Sequence, residues 1–137
     1  ENIRYAIKKT TEHFDAKQIQ PIIDSCLSDT GLTEFRNYYP SHLSGGMKQR
    51  GALARALALR SDVLLMDEPF SSLDWLNRQN AQKLVKELWI KNKNTILFVT
   101  HDIEEALFLA QKTAVLDAQT HTIKAVLDNE THRRKNR

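Results

Sequence analysis

Apolar and polar positions follow two rhythms along this 137-residue chain, and the change comes near residue 60. Before it, apolar residues recur at helical spacing over Ile3–Lys9 and again over Ala16–Leu27, where Pro21 sits early in the segment and the turn-like SDTG at 28–31 closes it. Pro40 disfavours a helix through Tyr38 and Tyr39. Ser44 is then well suited to cap a helix that Gly45 and Gly46 lead into, MKQRGALARALALR, whose Ala, Leu and Arg content outweighs Gly51. No strand pattern occurs in this first part. From residue 62 the pattern alternates: DVLLMD reads as a short buried strand and WLNRQNAQKLVKELWI as a helix. NTILFVT is a second strand, IEEALFLAQ a helix, and KTAVLD and HTIKAVLD are two final strands. The expected fold class is α/β: a helical part over residues 1–60, then an α/β part over 61–137 with a largely parallel sheet flanked by helices.

Composition narrows this picture. At this length the chain holds one domain with a real core, or part of one. The 20 Lys and Arg against 17 Asp and Glu look basic, but Arg133, Arg134, Lys135 and Arg137 form an acid-free tail, and residues 1–130 carry 16 against 17. A phosphate-binding nucleic-acid protein shows a basic face or stripe, and a terminal excess is better read as a solvated end, so no nucleic-acid partner is expected. Cys26 is alone, which excludes an intrachain disulfide, and in PIIDSCLSD it reads as a small buried hydrophobe. The apolar runs VLLM and TILFV fall far short of the roughly 20 residues a membrane helix needs. The chain opens on Glu1 without an initiator Met or a signal-peptide pattern, as a piece of something longer would.

Three places carry candidate chemistry. Asp67 and Glu68 end a buried apolar strand, where α/β folds place their ligands: an Asp there can hold Mg²⁺ directly or through water, and a Glu beside it can polarise an attacking water. The plain alternative is a strand ending in acidic turn residues before Pro69. His101 ends the second strand in the same way, with Asp102 opening the next helix. Neighbouring parallel strands would set these two ends on one rim, where His can contact a terminal phosphate or hold a water, although a lone turn His is usually neither. Ser44, Gly45 and Gly46 precede a helix whose first N–H groups lack partners, and the missing Cβ atoms admit an anion; alone, they also suit a simple cap and turn. There is no GxxxxGK[ST] and no leading strand, so this is not the usual phosphate loop. Lys48, Arg50, Arg55 and Arg60 read as a solvated helix face.

In order and spacing, LSGGMKQR, VLLMDEP, SSLD and VTHD resemble the ATP-binding cassette (ABC) family of ATPases. Within the resemblance Leu43, Ser44, Gly45, Gly46 and Gln49 belong to the signature motif, which closes on ATP in trans. Val63–Asp67 match the Walker B strand, with Asp67 on the Mg²⁺ side and Glu68 the catalytic carboxylate. Ser71–Asp74 match the D-loop, so that Ser72, Leu73 and Asp74 make the dimer contact, and His101 matches the switch histidine. YPSHLSGGMKQR, DEPFSSLD and FVTHDIEEALFLA look most like the ATPase subunits of bacterial importers of the nitrate, sulfonate and taurine type.

The resemblance implies the C-terminal portion of a P-loop-type cassette, binding ATP and Mg²⁺. Its implied partners are a second ATPase subunit packed head to tail and transmembrane permease subunits, at the cytoplasmic face of a bacterial membrane. Nothing in these residues matches the Walker A loop, the adenine-stacking aromatic or the Q-loop glutamine. The chain alone is therefore expected to hydrolyse little ATP, and to expose apolar surface and a sheet edge. Two alternatives stand beside the importer ATPase: a non-catalytic module that lends LSGG to a partner, and an ABC-type ATPase acting on DNA, against which the neutral body and THDIEEAL argue.

Overall fold

The computed structural model describes residues 1–10 and 15–129. The basic tail lies outside them. The elements run α1 (Asn2–Thr10), α2 (Ala16–Asp29), two 3-10 turns (Thr33–Phe35 and Pro40–His42), α3 (Gly45–Ala58), β1 (Val63–Asp67), α4 (Trp75–Asn92), β2 (Thr95–Val99), α5 (Ile103–Leu109), β3 (Lys112–Leu116) and β4 (Ile123–Asp128). They form two compact units, Glu1–Leu97 and Phe98–Arg137.

The core of the first unit follows from helical spacing. Ile3 and Ile7 are four apart on α1, Ile19, Ile22, Ile23, Cys26 and Leu27 form one stripe of α2, and Ala54 and Ala58 are four apart on α3. Both alanines and Ile7 are fully buried, and the lack of bulk at 54 and 58 lets α3 lie close to its neighbours. Burial holds the Cys26 thiol above its ordinary pKa, with the nearby Asp29 carboxylate adding to the effect, so it acts as a core residue rather than a nucleophile. The end of α2 is sealed by the buried Thr30, whose hydroxyl donates to the Cys26 carbonyl at 2.8 Å.

β1 and β2 are hydrogen-bonded neighbours joined through α4, the long crossover that parallel strands need. Side chains alternate along both. Leu64, Met66 and Ile96 share a cleft with Leu53, Leu57, Val85 and Leu88 of α3 and α4. Val63, Leu65 and Leu97 face outward, at 51%, 69% and 60% exposure. This is the uncovered apolar surface that the sequence predicts.

In the second unit β3 and β4 pair antiparallel, Lys112 opposite Asp128 and Ala114 opposite Val126, with an irregularity at Val115 and Leu116. The strands are thus mixed in direction, within the expected α/β class of a helical part followed by helix-flanked strands. The reason is the short link between β3 and β4, which is too brief for a crossover and long enough for a hairpin. The Asp117 carboxylate organises it by accepting the Gln119 and Thr120 amides at 2.9 and 3.0 Å, and His121 takes a left-handed φ of 55°. Asn129, just past β4, is almost fully buried, and its amide donates to the Ala110 carbonyl at 3.0 Å and to the Thr113 hydroxyl at 2.8 Å.

Candidate functional site

Ser44 opens α3 in an extended conformation, and its hydroxyl accepts the Met47 amide at 3.3 Å while its carbonyl accepts Lys48 at 2.9 Å. No acidic residue occupies the first turn, so nothing there opposes the positive end of the helix. The two glycines differ. A Cβ at Gly45 would meet nothing within 4 Å, leaving its backbone open to an approaching anion. A Cβ at Gly46 would come to 3.0 Å from the Asn77 amide oxygen, so there the missing side chain makes room for another residue of the chain.

At the end of β1, Asp67 is exposed and Glu68 turns the chain with a left-handed φ of 40°. That conformation costs an L-residue about 1–2 kcal/mol. It is held by Ser71, whose amide and hydroxyl both donate to the Glu68 carbonyl at 3.3 and 3.0 Å, and by Gln49, whose amide nitrogen donates to the Pro69 carbonyl. Phe70 and Leu73 bury their side chains and anchor the loop, which leaves Ser72 and Asp74 outside. Asp74 caps α4. Its carboxylate accepts the Asn77 backbone amide at 3.0 Å and the Asn77 side-chain amide at 2.6 Å, and these two bonds, the backbone one first, hold its pKa below the ordinary aspartate value.

In the second unit His101 is exposed in the turn that opens α5. The turn is fixed on both sides of it. Thr100 donates its hydroxyl to Glu105 at 2.7 Å and accepts the Asp102 amide at 3.0 Å, and Asp102 accepts the Glu105 amide at 3.1 Å. Glu105 is buried, an unusual place for a carboxylate, so its role is to set the turn.

Of the residues singled out from sequence, the structure sets the glycine pair that opens α3 beside the loop after β1: a Cβ on Gly46 would come against Asn77, which holds Asp74, and Gln49 meets Pro69, next to Glu68. Sequence reasoning missed Asn77, Thr100 and Glu105. Glu105 was findable, since Asp102-Ile-Glu-Glu105 carries the spacing of a capping box. Asn77 carried no such signal, because its second contact is tertiary. Among the described residues no group of three or more His, Cys, Asp or Glu is placed to hold a metal ion, and no helix is long and apolar enough to cross a membrane.

The profile of the ABC transporter family matches residues 2–71. The nitrate import ATP-binding protein NrtD of Synechococcus elongatus is 40% identical over 129 residues, which is 93% of this chain and 47% of that protein. The taurine import ATP-binding protein TauB of Rhizobium johnstonii is 46% identical over 104 residues, 76% of this chain and 40% of that protein. Among solved structures, cbiO1 from Clostridium perfringens, part of the ABC transporter complex cbiONQ, superposes with a TM-score of 0.82 at 22% identity, covering 98% of this chain and 52% of that one. At that identity the likeness speaks for the fold alone. The chain spans less than half the length of these two curated relatives. The matched stretch runs from α1 through the capped glycine pair of α3 to the acidic end of β1, the parts whose geometry has just been described, and on that ground the chain belongs to the ABC transporter family.

Proposed function

We propose that this chain is the signature-bearing part of an ATP-hydrolysing subunit that couples ATP hydrolysis to uptake of a small solute, a role in keeping with relatives named for nitrate and taurine import. The observation that carries the reading is the start of α3. Gly45 leaves backbone N–H groups open at a capped, acid-free helix end, which suits a phosphate. Without a lysine or a leading strand of its own, this element acts as a lid: Leu43, Ser44, Gly45, Gly46 and Gln49 close on ATP held by a second subunit packed head to tail.

Glu68 is the general base or water-positioning carboxylate and draws the proton from the attacking water. His101 contacts the terminal phosphate. Asp67, a single exposed carboxylate at a strand end, fits Mg²⁺ through a bound water, since that ion keeps several waters and takes its other ligands from phosphates. Mg²⁺ supplies charge neutralisation at the phosphates. Ser72 and Asp74 meet the partner subunit across the pair, and Leu73, also expected there from sequence, instead packs its side chain into its own chain and holds the loop in place. Transmembrane permease subunits carry the solute and hold the protein at the cytoplasmic face of a bacterial membrane.

The test is Glu68→Gln in the full-length protein assembled with its permease. Turnover falls about 100- to 10,000-fold while ATP binding persists; unchanged turnover removes Glu68 from the role. The 137-residue chain alone, which contains no GxxxxGK[ST] loop, hydrolyses little or no ATP.

A further inference from the structure

The start of α3 approaches the loop after β1 and the first turn of α4 at two neighbouring positions of one helix face, 46 and 49 being three apart. At one, Gln49 reaches the Pro69 carbonyl. At the other the link is a chain of three residues. The Asn77 amide nitrogen donates to Asp74 at 2.6 Å, and the oxygen of the same amide lies 3.0 Å from where a Cβ on Gly46 would be. The amide is planar, so pushing its oxygen swings its nitrogen. Asn suits the position chemically as well. It follows Asp74 by three residues, where a carboxylate would repel the capping Asp and an alanine would reach neither side.

We propose that Asn77 is a positioning residue that couples the signature turn to the D-loop, so that movement of α3 at Gly46 is passed to Asp74. What the coupling transmits rests on the reading of Gly45 and Gly46 as a phosphate-facing lid. Engagement of that lid then alters the D-loop of the same chain, which offers a route by which a site shared with a partner informs the partner-facing loop beside Glu68. The depressed pKa of Asp74, caused first by the Asn77 backbone amide and then by its side chain, gives the coupling a local reporter.

The experiment is carbon- and nitrogen-detected NMR of the 137-residue chain without nucleotide, following the Asp74 carboxyl titration, the Asn77 side-chain amide and the Gly46 backbone amide. Gly46→Ala places a methyl against Asn77, shifts the Asn77 amide signal and raises the Asp74 midpoint toward the ordinary aspartate value. Gly45→Ala, whose methyl meets nothing within 4 Å, leaves both where they were. In the double variant Gly46→Ala with Asn77→Ala, Asp74 titrates as in Asn77→Ala alone, because the relay is already gone. An unmoved Asp74 in Gly46→Ala, or an equal shift in Gly45→Ala, overturns the proposal. Asn77 is exposed, so Asn77→Ala keeps the test open if Gly46→Ala does not fold. It shifts the Gly46 amide if the coupling exists, and a Gly46 amide that stays put overturns it. No nucleotide is present, so failure here is distinct from failure of Glu68 in the hydrolysis test.

Discussion

Thr100 gives its hydroxyl proton to the buried carboxylate of Glu105 across 2.7 Å, and the same oxygen receives the Asp102 amide at 3.0 Å. His101 stands between Thr100 and Asp102, so the position of the candidate switch histidine is set by a hydroxyl on one side and a helix cap on the other. Thr100→Val keeps the shape of the side chain and removes both bonds. Loss of a half-buried hydroxyl donor to a buried carboxylate costs about 1–3 kcal/mol. The expected result is lower stability in urea unfolding together with faster amide exchange at His101 and Asp102. Exchange at those amides that matches the parent chain would show that the turn is held by something else.

Asn129 makes a second prediction in the same unit. Its side-chain nitrogen donates to Ala110 and Thr113 from an almost fully buried position, tying the end of β4 to the end of α5 and the start of β3. Asn129→Asp exchanges that donor for an acceptor and sets it against a carbonyl, whereas Asn129→Ala only removes it. Both variants lose stability, by about 1–3 kcal/mol for the alanine and more for the aspartate, since a charged buried group without its donor is the costlier loss. Thermal unfolding of the two variants checks the order.

Much of this was legible from residue types, and the exceptions have two different causes. The strands and helices fall within a few residues of where apolar spacing puts them, and Ser44 caps α3 as its position before two glycines implies. The antiparallel pairing of β3 with β4 is not implied by the alternation of strands and helices earlier in the chain. The six residues from Asp117 to Thr122, with an Asp able to accept the amides two and three places on, were a hairpin signal that outweighs that pattern. Burial of Glu105 and Asn129 and the meeting of Asn77 with Gly46 were not legible, because each depends on where a distant backbone passes.

Asp74 predicts a pH dependence whose sign is fixed by its partners. Its native pKa lies below the ordinary 3.8, so the ionised, capping form is favoured by folding. The stabilisation is complete above the ordinary value and is lost as pH falls through the lower native one. Helix α4 should therefore fray at its start in acid before the core opens, visible as exchange at Leu76 and Asn77. Asp74→Asn retains a capping side chain without a titrating group. It should flatten this acid limb, and an unchanged limb would point to Asp117, whose carboxyl is lowered by the Thr120 and Gln119 amides.

In the helical core the crossing of α3 with its neighbours depends on small residues. Ala54 and Ala58 are fully buried among Ile3, Ile7, Ile19 and Ile23. Ala54→Leu inserts three carbons where none fit, at a cost of about 1–3 kcal/mol from displaced side chains. Ile7→Ala, from a residue with no exposure, costs about 2–5 kcal/mol. Denaturant midpoints measure both, and an Ala54→Leu chain as stable as the parent would mean the helices are less closely packed than their buried alanines indicate.

The outward face of β1 and β2 is the most unusual surface of the first unit, because Val63, Leu65 and Leu97 stand together in solvent while their neighbours Leu64, Met66 and Ile96 pack inward. A contiguous apolar patch on strands drives association. The isolated chain should therefore self-associate as its concentration rises, and sedimentation or light scattering will show it. Leu65→Lys replaces the most exposed of the three with a charge that needs no burial, so it should raise the concentration at which association begins without loss of helical signal. The same substitution in the full-length protein separates two situations. If the face is solvent-exposed there too, Leu65→Lys is neutral within about 0.5 kcal/mol, as surface changes usually are. If other parts of the protein cover it, a lysine is buried without a partner, and the full-length protein loses several kcal/mol of stability that the isolated chain does not.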